Sequence, residues 1–390
     1  MFFLQPLLLL AATALTLHPS HWFVAANDFA GANAYFLHTL SAADRASVLD
    51  AMQSADMKRE QPSFSRFPPD GAHSSDTMAE TLIFFCAVLR VFITRVGAGA
   101  KGSSARAVND LETVAVGSYD DTILRLIDTL ASEAHPRDIK LVIAMHDRYA
   151  LGCWDTDAYV AKYALPVTGC VNGVPDSSKF YTNANAVADF DKRLKHILNF
   201  QSPAFGVPWH QLSDAIFSFE IQNEGMGHMN QVAPNWWCDR ANVIRSVLGS
   251  TGIKISTGGG TDMATSTQSQ FFSCTNIQIV ALHDYNVDPT YVASKIDAVK
   301  GIALSSGKRL LYEEFGALGS NKQSQLLAVT NTLISTGVPW MFWELMKPGK
   351  GSSDYEVWTD EPSWTTLRAQ SLATRKHVGE FGWPEIDGGA

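Results

Sequence analysis

Eight short apolar runs rich in β-branched residues recur along this chain with amphipathic stretches between them, and that rhythm constrains the fold more tightly than any motif does. The runs predict strands near Ala30 to Leu37, Leu89 to Thr94, Leu141 to Met145, Ile216 to Ile221, Ile253 to Ser256, Ile277 to Leu282, Arg309 to Tyr312 and Pro339 to Trp343. Between them, helical spacing predicts helices over Asp44 to Met57 and over Tyr119 to Ala131, where Ile123, Leu126, Ile127 and Leu130 would share a face. Strands that alternate with helices imply βαβ units, and about eight such repeats imply closure of the sheet on itself. The expected fold is therefore α/β, a single-domain (β/α)8 TIM barrel over residues 21–390. An open, doubly wound sheet is the alternative; against it, no Gly-x-Gly-x-x-Gly turn follows the first run.

Charge narrows the partners. The formal charge is −9, and clusters such as Lys58-Arg59 or Arg193 to Lys195 are too short to form the concentrated basic surface that phosphate backbones require. A nucleic-acid partner is not expected. The longest apolar run near the start, Leu7 to Leu17, is too short to span a bilayer and has the length of a signal-peptide core, with small residues following at Ser20, Ala25 and Ala26. The expectation is a signal peptide over residues 1–20, export to the extracellular space and no membrane partner, although the run lacks a preceding Lys or Arg.

The cysteines are Cys86, Cys153, Cys170, Cys238 and Cys274. No spacing among them resembles a zinc site. In an exported chain they predict bridges Cys153–Cys170 and Cys238–Cys274, which leaves Cys86 over. Cys86 falls in the one segment that breaks the rhythm. Residues 59–88 are far longer than the roughly 2 to 6 residues usual for such a connection. They read either as a surface insertion or lid, or as a translated retained intron, since Arg59-Glu60 can be encoded across a splice donor and Ala87-Val88 across an acceptor.

In closed barrels of this kind the chemistry sits at the carboxyl ends of the strands. The fourth run ends in Glu220-Ile221-Gln222-Asn223-Glu224-Gly225 and the seventh in Glu313-Glu314-Phe315-Gly316. Burying a bare carboxylate is costly, so acids at the ends of apolar strands must be paired or used. Hydrolysis of a glycosidic bond needs two carboxyls, one protonated and one ionised, and Glu224 and Glu314 could supply them; two structural ion pairs are the other reading. Glu313 competes with Glu314, but alternation along a strand would send the two to opposite faces.

Asn223-Glu224 after an apolar strand, His283-Asp284-Tyr285, Glu314-Phe315-Gly316 and Trp343, preceded by Arg90 and His146, resemble the ordered signature of glycoside hydrolase family 5, the cellulase and mannanase family of retaining barrels. The resemblance runs from Phe29 to Trp343. It implies that Glu224 is the general acid/base, holding its proton beside an ionised Glu314, and that Glu314 is the nucleophile, kept ionised by donors such as Arg90 and Tyr285. Asn223 would donate to the sugar 2-hydroxyl, His146 and His283 would shape the subsite by hydrogen bonds, and Trp343 would floor it. Trp154, Trp236, Trp237, Trp358 and Trp364 are candidates for outer subsites or for packing. Gly225 departs from the family, where Pro often follows Asn-Glu. The implied protein is a monomer without metal or cofactor that cleaves a β-linked polysaccharide or oligosaccharide with retention, endo-β-1,4-mannan first and β-glucan next. The alternative class is a sugar-binding protein without turnover, or an inactive product of a misassigned coding sequence, since a displaced second strand would carry Arg90 away from the site.

Overall fold

The computed structural model describes residues 26–55, 87–169 and 176–387. Eight parallel strands close into a barrel in chain order. They are β1 (Ala30–Asn33), β2 (Ala87–Phe92), β3 (Ile139–Ala144), β4 (Ile216–Glu220), β5 (Lys254–Ser256), β6 (Ile279–His283), β7 (Arg309–Glu314) and β8 (Trp340–Phe342). Closure comes from β8 pairing with β1, Ala30 opposite Trp340 and Ala32 opposite Phe342. Gly31 is required in that wall, because a Cβ there would lie 2.4 Å from the carbonyl oxygen of Val88 on β2. Each expected strand is present. The first stops at Asn33 instead of Leu37, because residues 37–39 turn into a short 3-10 helix that buries Leu37 and His38.

Seven longer helices wrap the barrel: α1 (Ala42–Ser54), α2 (Thr122–Ala134), α3 (Ala184–Leu198), α4 (Trp236–Leu248), α5 (Pro289–Ser305), α6 (Lys322–Thr336) and α7 (Pro362–Thr374). Local chemistry sets their ends. The Ser41 hydroxyl accepts from the Asp44 amide at the start of α1, Asn183 caps α3, and Gly337 takes the left-handed conformation that stops α6. On α2 the buried face is Ile123, Leu124, Ile127, Leu130 and Ala134, with Leu126 at its edge. The unit after β5 is the exception: it carries only two short helices, Met263–Ser266 and Ser269–Ser273. There the Cys238–Cys274 disulfide ties α4 to the end of the second short helix across 36 residues of chain. By loop-closure entropy such a bridge contributes about 4 kcal/mol.

The other cysteine and insertion expectations fall mostly outside the described residues. Cys153 is disulfide-bonded, and its expected partner Cys170 lies outside them, as do Cys86, residues 1–20 and all of the 59–88 segment before Ala87. Ala87 and Val88 themselves begin β2, opposite Ile139 and Lys140 on β3, and Arg90 sits in register opposite Val142. The second strand is therefore in place. Among the described residues no helix is long and apolar enough to cross a membrane. The end of the barrel opposite the cavity, where the strands begin, carries a two-residue antiparallel pairing of Ala26–Asn27 with Val378–Gly379, and Phe29 packed edge-on against Trp383 at 5.2 Å.

Candidate active site

The carboxyl ends of the strands hold a buried charged layer whose centre is Arg90 on β2. Its guanidinium is fully buried, and its five N–H groups are all used. Nε and Nη2 grip both oxygens of Glu220 on β4 at 2.7 and 2.9 Å, and Nη2 also donates to Asn223 Oδ1 at 2.8 Å. Nη1 donates to Asn33 Oδ1 at 3.1 Å and to Glu314 Oε1. Asn33 in turn donates to the carbonyls of Glu313 and Phe342, which locks β1 to β7 and β8. A fork that meets two carboxylates and two amides at once has one geometry, so Arg90 fixes the four strand ends relative to one another.

Glu314 ends β7 and lines a cavity of about 640 Å³ at the barrel mouth. Arg90 holds its Oε1, and the Tyr285 hydroxyl donates to its Oε2 at 2.9 Å. Glu224 lines the same cavity from the end of β4. Its Oε1 lies 3.1 Å from His283 Nδ1, and its Oε2 accepts from the Tyr149 hydroxyl. One oxygen of each glutamate and one nitrogen of His283 lie within 4.8 Å of one another.

Alternation does not separate Glu313 from Glu314 as expected. Both enter the charged layer, Glu313 Oε2 lying 3.5 Å from Arg90 Nε and 3.0 Å from His283 Nε2. The β6–β7 register shifts between Leu282 and His283, so that His283 pairs with Glu314 where a regular ladder would place Glu313. Depth, not facing, separates the two acids: Glu313 is fully buried beneath the mouth, while Glu314 reaches the cavity.

His283 and His146 are hydrogen-bonded into the layer beneath the cavity. Neither lines the cavity. His283 is fully buried and bridges Glu224 and Glu313, and Gly259 makes room for its ring, since a Cβ there would lie 2.3 Å from it. Burial alone would strip its proton, but the Glu314 carboxylate and the hydrogen bonds to Glu224 and Glu313 prevail and push it up to about 10. His146 is held one layer below the cavity, its Nε2 2.7 Å from Asp157 and its Nδ1 2.8 Å from Gln222, with Phe180 stacked on its ring. It shapes the floor without reaching a ligand.

The remaining expected site residues divide by position. Asn223 lines the cavity; its Oδ1 faces Arg90, one amide hydrogen goes to Asp147 at 3.0 Å, and the second is left for a ligand. Tyr285 and Trp343 line the cavity, Trp343 lying parallel to Tyr35 at 5.5 Å. Of the outer tryptophans only Trp154 reaches it. Trp236 and Trp237 are buried on α4 and Trp364 on α7, where all three pack the core, and Trp358 lies outside the lining.

Four functional-looking residues escaped the sequence reading. Glu220 is fully buried, and burial, partly offset by Arg90 and reinforced by Glu313, raises its carboxyl, while Arg90 and His283 hold Glu313 low against its own burial. Tyr149 and Asp147 follow β3, and burial pushes Asp147 up to about 6. Lys101 stands in a left-handed turn, φ 52°, between Gly99 and Gly102, and donates to Glu344 and to Glu356, the latter at 2.6 Å. A Lys set between glycines after a strand was the available signal for that turn.

The donor set does not suit a metal ion. Glu224, His283 and Glu314 cluster closely enough, but His283 faces a carboxylate with each ring nitrogen and keeps its proton, so it has no lone pair to offer.

The fold and site together define a (β/α)8 barrel with two opposed glutamates at its mouth, anchored on one buried arginine. Solved structures share that architecture. The chain is similar to an endo-1,4-β-mannanase from Rhizomucor miehei (TM-score 0.63, 18% identity, covering 90% of this chain and 95% of that one). It is similar also to an endo-β-1,4-mannanase from Thermotoga petrophila (0.64, 17%, 90% and 77%), and to a glycoside hydrolase family 5 mannosidase from Rhizomucor miehei (0.62, 14%, 90% and 94%). No family model matches the sequence, and no curated protein matches it. At these identities the likeness establishes the shared barrel.

Proposed function

We propose that this chain is a retaining glycoside hydrolase of family 5 type that cleaves β-linked mannan, exported and active as a monomer. The observation that carries the reading is the glutamate pair: Glu224 and Glu314 face one cavity with oxygens within 4.8 Å, each held by its own set of donors. Retaining enzymes hold their carboxyls about 5 to 5.5 Å apart and inverting ones roughly 6.5 to 9.5 Å, leaving room for a water. The spacing here supports direct attack.

In the first step Glu314 attacks the anomeric carbon, the glycosidic C–O bond breaks, and Glu224 gives its proton to the departing oxygen. In the second, Glu224 takes a proton from water, the water oxygen bonds to the anomeric carbon, and Glu314 is released. Arg90 and Tyr285 on the two oxygens of Glu314 fix its angle of attack. His283, a buried cation, offsets the second carboxylate charge when Glu224 has lost its proton. The free Asn223 amide hydrogen is placed to donate to a sugar hydroxyl beside Glu224, and the broad face of Trp343 to cover the apolar face of the ring. Mannan is favoured as substrate by the mannanases and mannosidase that share the barrel; β-1,4-glucan is the other substrate to assay, since one barrel hosts many specificities.

The test is hydrolysis of mannan and β-glucan by the whole chain and by Glu314→Gln, with the anomer of the product followed by NMR. Turnover should fall by on the order of 10⁴-fold or more in the variant while sugar binding persists. Residual activity near wild type, or an inverted product, overturns the assignment.

A further inference from the structure

Glu224 is gripped from a direction that the resemblance to known barrels does not explain. Tyr149 lies in the 3-10 turn Arg148–Ala150 after β3, and the Asp147 carboxylate accepts from the Tyr149 amide at 3.2 Å. Asp147 also accepts from the Asn223 side chain at 3.0 Å, and the Arg148 amide donates to the Asn223 carbonyl at 3.1 Å. The turn is therefore stitched to the residue just before Glu224. From there the buried Tyr149 hydroxyl donates to Glu224 Oε2, opposite the contact of His283 with Oε1. Without Tyr149 the carboxyl would be held on one oxygen only.

The other face of the Tyr149 ring carries Trp154. The rings lie 4.1 Å apart at 14°, and the Trp154 amide donates to the Tyr149 carbonyl at 3.1 Å. Trp154 lines the cavity and is 70% exposed, against 6% for Tyr149. An indole with one face packed and the other open to a cleft offers the flat apolar surface on which a sugar ring stacks. Its place in the barrel selects which sugar. Tyr149 and Trp154 follow β3, next to the strand of Glu224, whereas Trp343 follows β8, beside the strand of Glu314, with Tyr35 stacked on it. In a two-carboxyl displacement the acid stands on the leaving-group side and the nucleophile beneath the sugar that is retained.

We infer that Tyr149 is a positioning residue for Glu224 and that Trp154 is the platform for the leaving-group sugar, so that one stacked pair seats the departing residue and aims the proton it needs. The inference rests on the glycosidase reading. Protonation by Glu224 matters when the leaving group is a sugar alkoxide and little when it is fluoride, which departs with its electron pair and needs neither acid nor platform.

The experiment compares β-mannobiosyl and β-cellobiosyl fluorides with the corresponding β-1,4-linked tetrasaccharides, in wild type, Tyr149→Phe, Trp154→Ala and Trp154→Phe. Tyr149→Phe should lower kcat/KM on the tetrasaccharide by about 10- to 100-fold and leave kcat/KM for the fluoride, which reports only the step before water attacks, within about threefold. Trp154→Ala should raise KM for the tetrasaccharide by about 3- to 10-fold with the fluoride KM unchanged, and Trp154→Phe should restore most of that loss. Equal losses on both substrate types would overturn the inference and leave the glycosidase reading standing. A wild type inert toward all four substrates would overturn both.

Discussion

Two arginines in this barrel are equally hidden and do different work. Arg90 and Arg193 are both fully buried, and each is ringed by acids. Arg193, on α3, donates to both oxygens of Asp110 at 2.9 Å, to Glu112 at 3.2 Å, and to the carbonyls of Met145 and Ile93 at 3.1 Å. Its network ends there: it pins the loop after β2 against the ends of β2 and β3. Arg90 meets Glu220, Glu313 and Glu314, and the last of these opens onto the cavity. Removing one partner of a buried ion pair costs about 3 to 5 kcal/mol wherever it sits, because the remaining charge is stranded. The difference lies in where the stranded charge would fall, within the packing in one case and on the attacking group in the other.

The largest effect expected from that contrast is on Arg90→Lys. An ammonium cannot span Glu220, Asn223, Asn33 and Glu314 together, so kcat should fall by about 10²- to 10³-fold in protein that is still folded by circular dichroism. Arg193→Met should show the reverse: a loss of about 3 to 5 kcal/mol in urea unfolding, with kcat per folded molecule within about twofold of wild type. If Arg193→Met lost turnover without losing stability, the distinction between the two clusters would collapse.

A smaller effect sharpens the same comparison through pH. His283 is raised from its ordinary 6.5 to about 10 in the folded chain. Its contribution to stability is therefore complete below about 6.5 and disappears as pH rises toward 10. The urea midpoint of the wild type should decline across that window and that of His283→Gln should decline less; parallel curves would show that the buried cation is not what binds the acids together. The smallest effect is at Lys101, which is shared between Glu344 and Glu356 below the Tyr35 and Trp343 rings. Lys101→Met should raise KM by about 2- to 10-fold with kcat little changed. A large kcat loss would place Lys101 with Arg90 instead.

Much of this was visible in the chain before any coordinates. The eight strands announced themselves because parallel strands buried on both faces read as continuous apolar runs, and Glu224, Glu314, Asn223, Tyr285 and Trp343 met at one cavity, with Arg90 buried beneath it, because each lies at or just beyond a strand end. What stayed hidden depended on depth or on contacts between distant turns. His146 and His283 were read as shaping the subsite by hydrogen bonds, but their depth beneath the cavity was not legible. The separation of Glu313 from Glu314 failed as an alternation argument because a register shift at Leu282/His283 is invisible in sequence. Tyr149 gave no signal, since its contact with Glu224 joins residues 75 apart. Trp236 and Trp237 fell on helix α4, where the neighbouring rings of Phe190 and Phe271 enclose them.

The shortened fifth unit gives the barrel a weak side. Its strands β5 and β6 meet at a single paired position, Ser256 opposite Ile279, as β7 and β8 do at Tyr312 and Trp340, but only here does no full-length helix cover the connection between the strands. Such a seam is where native-state hydrogen exchange would be expected to find the first opening, well before the rest of the molecule unfolds. Gly259, which makes room for the ring of His283, lies in that connection. The Cys238–Cys274 bond thus works as a rivet at the edge of a door: in a reducing solution the seam would breathe faster, and the pocket that holds the ring of His283 would loosen while the barrel still stood.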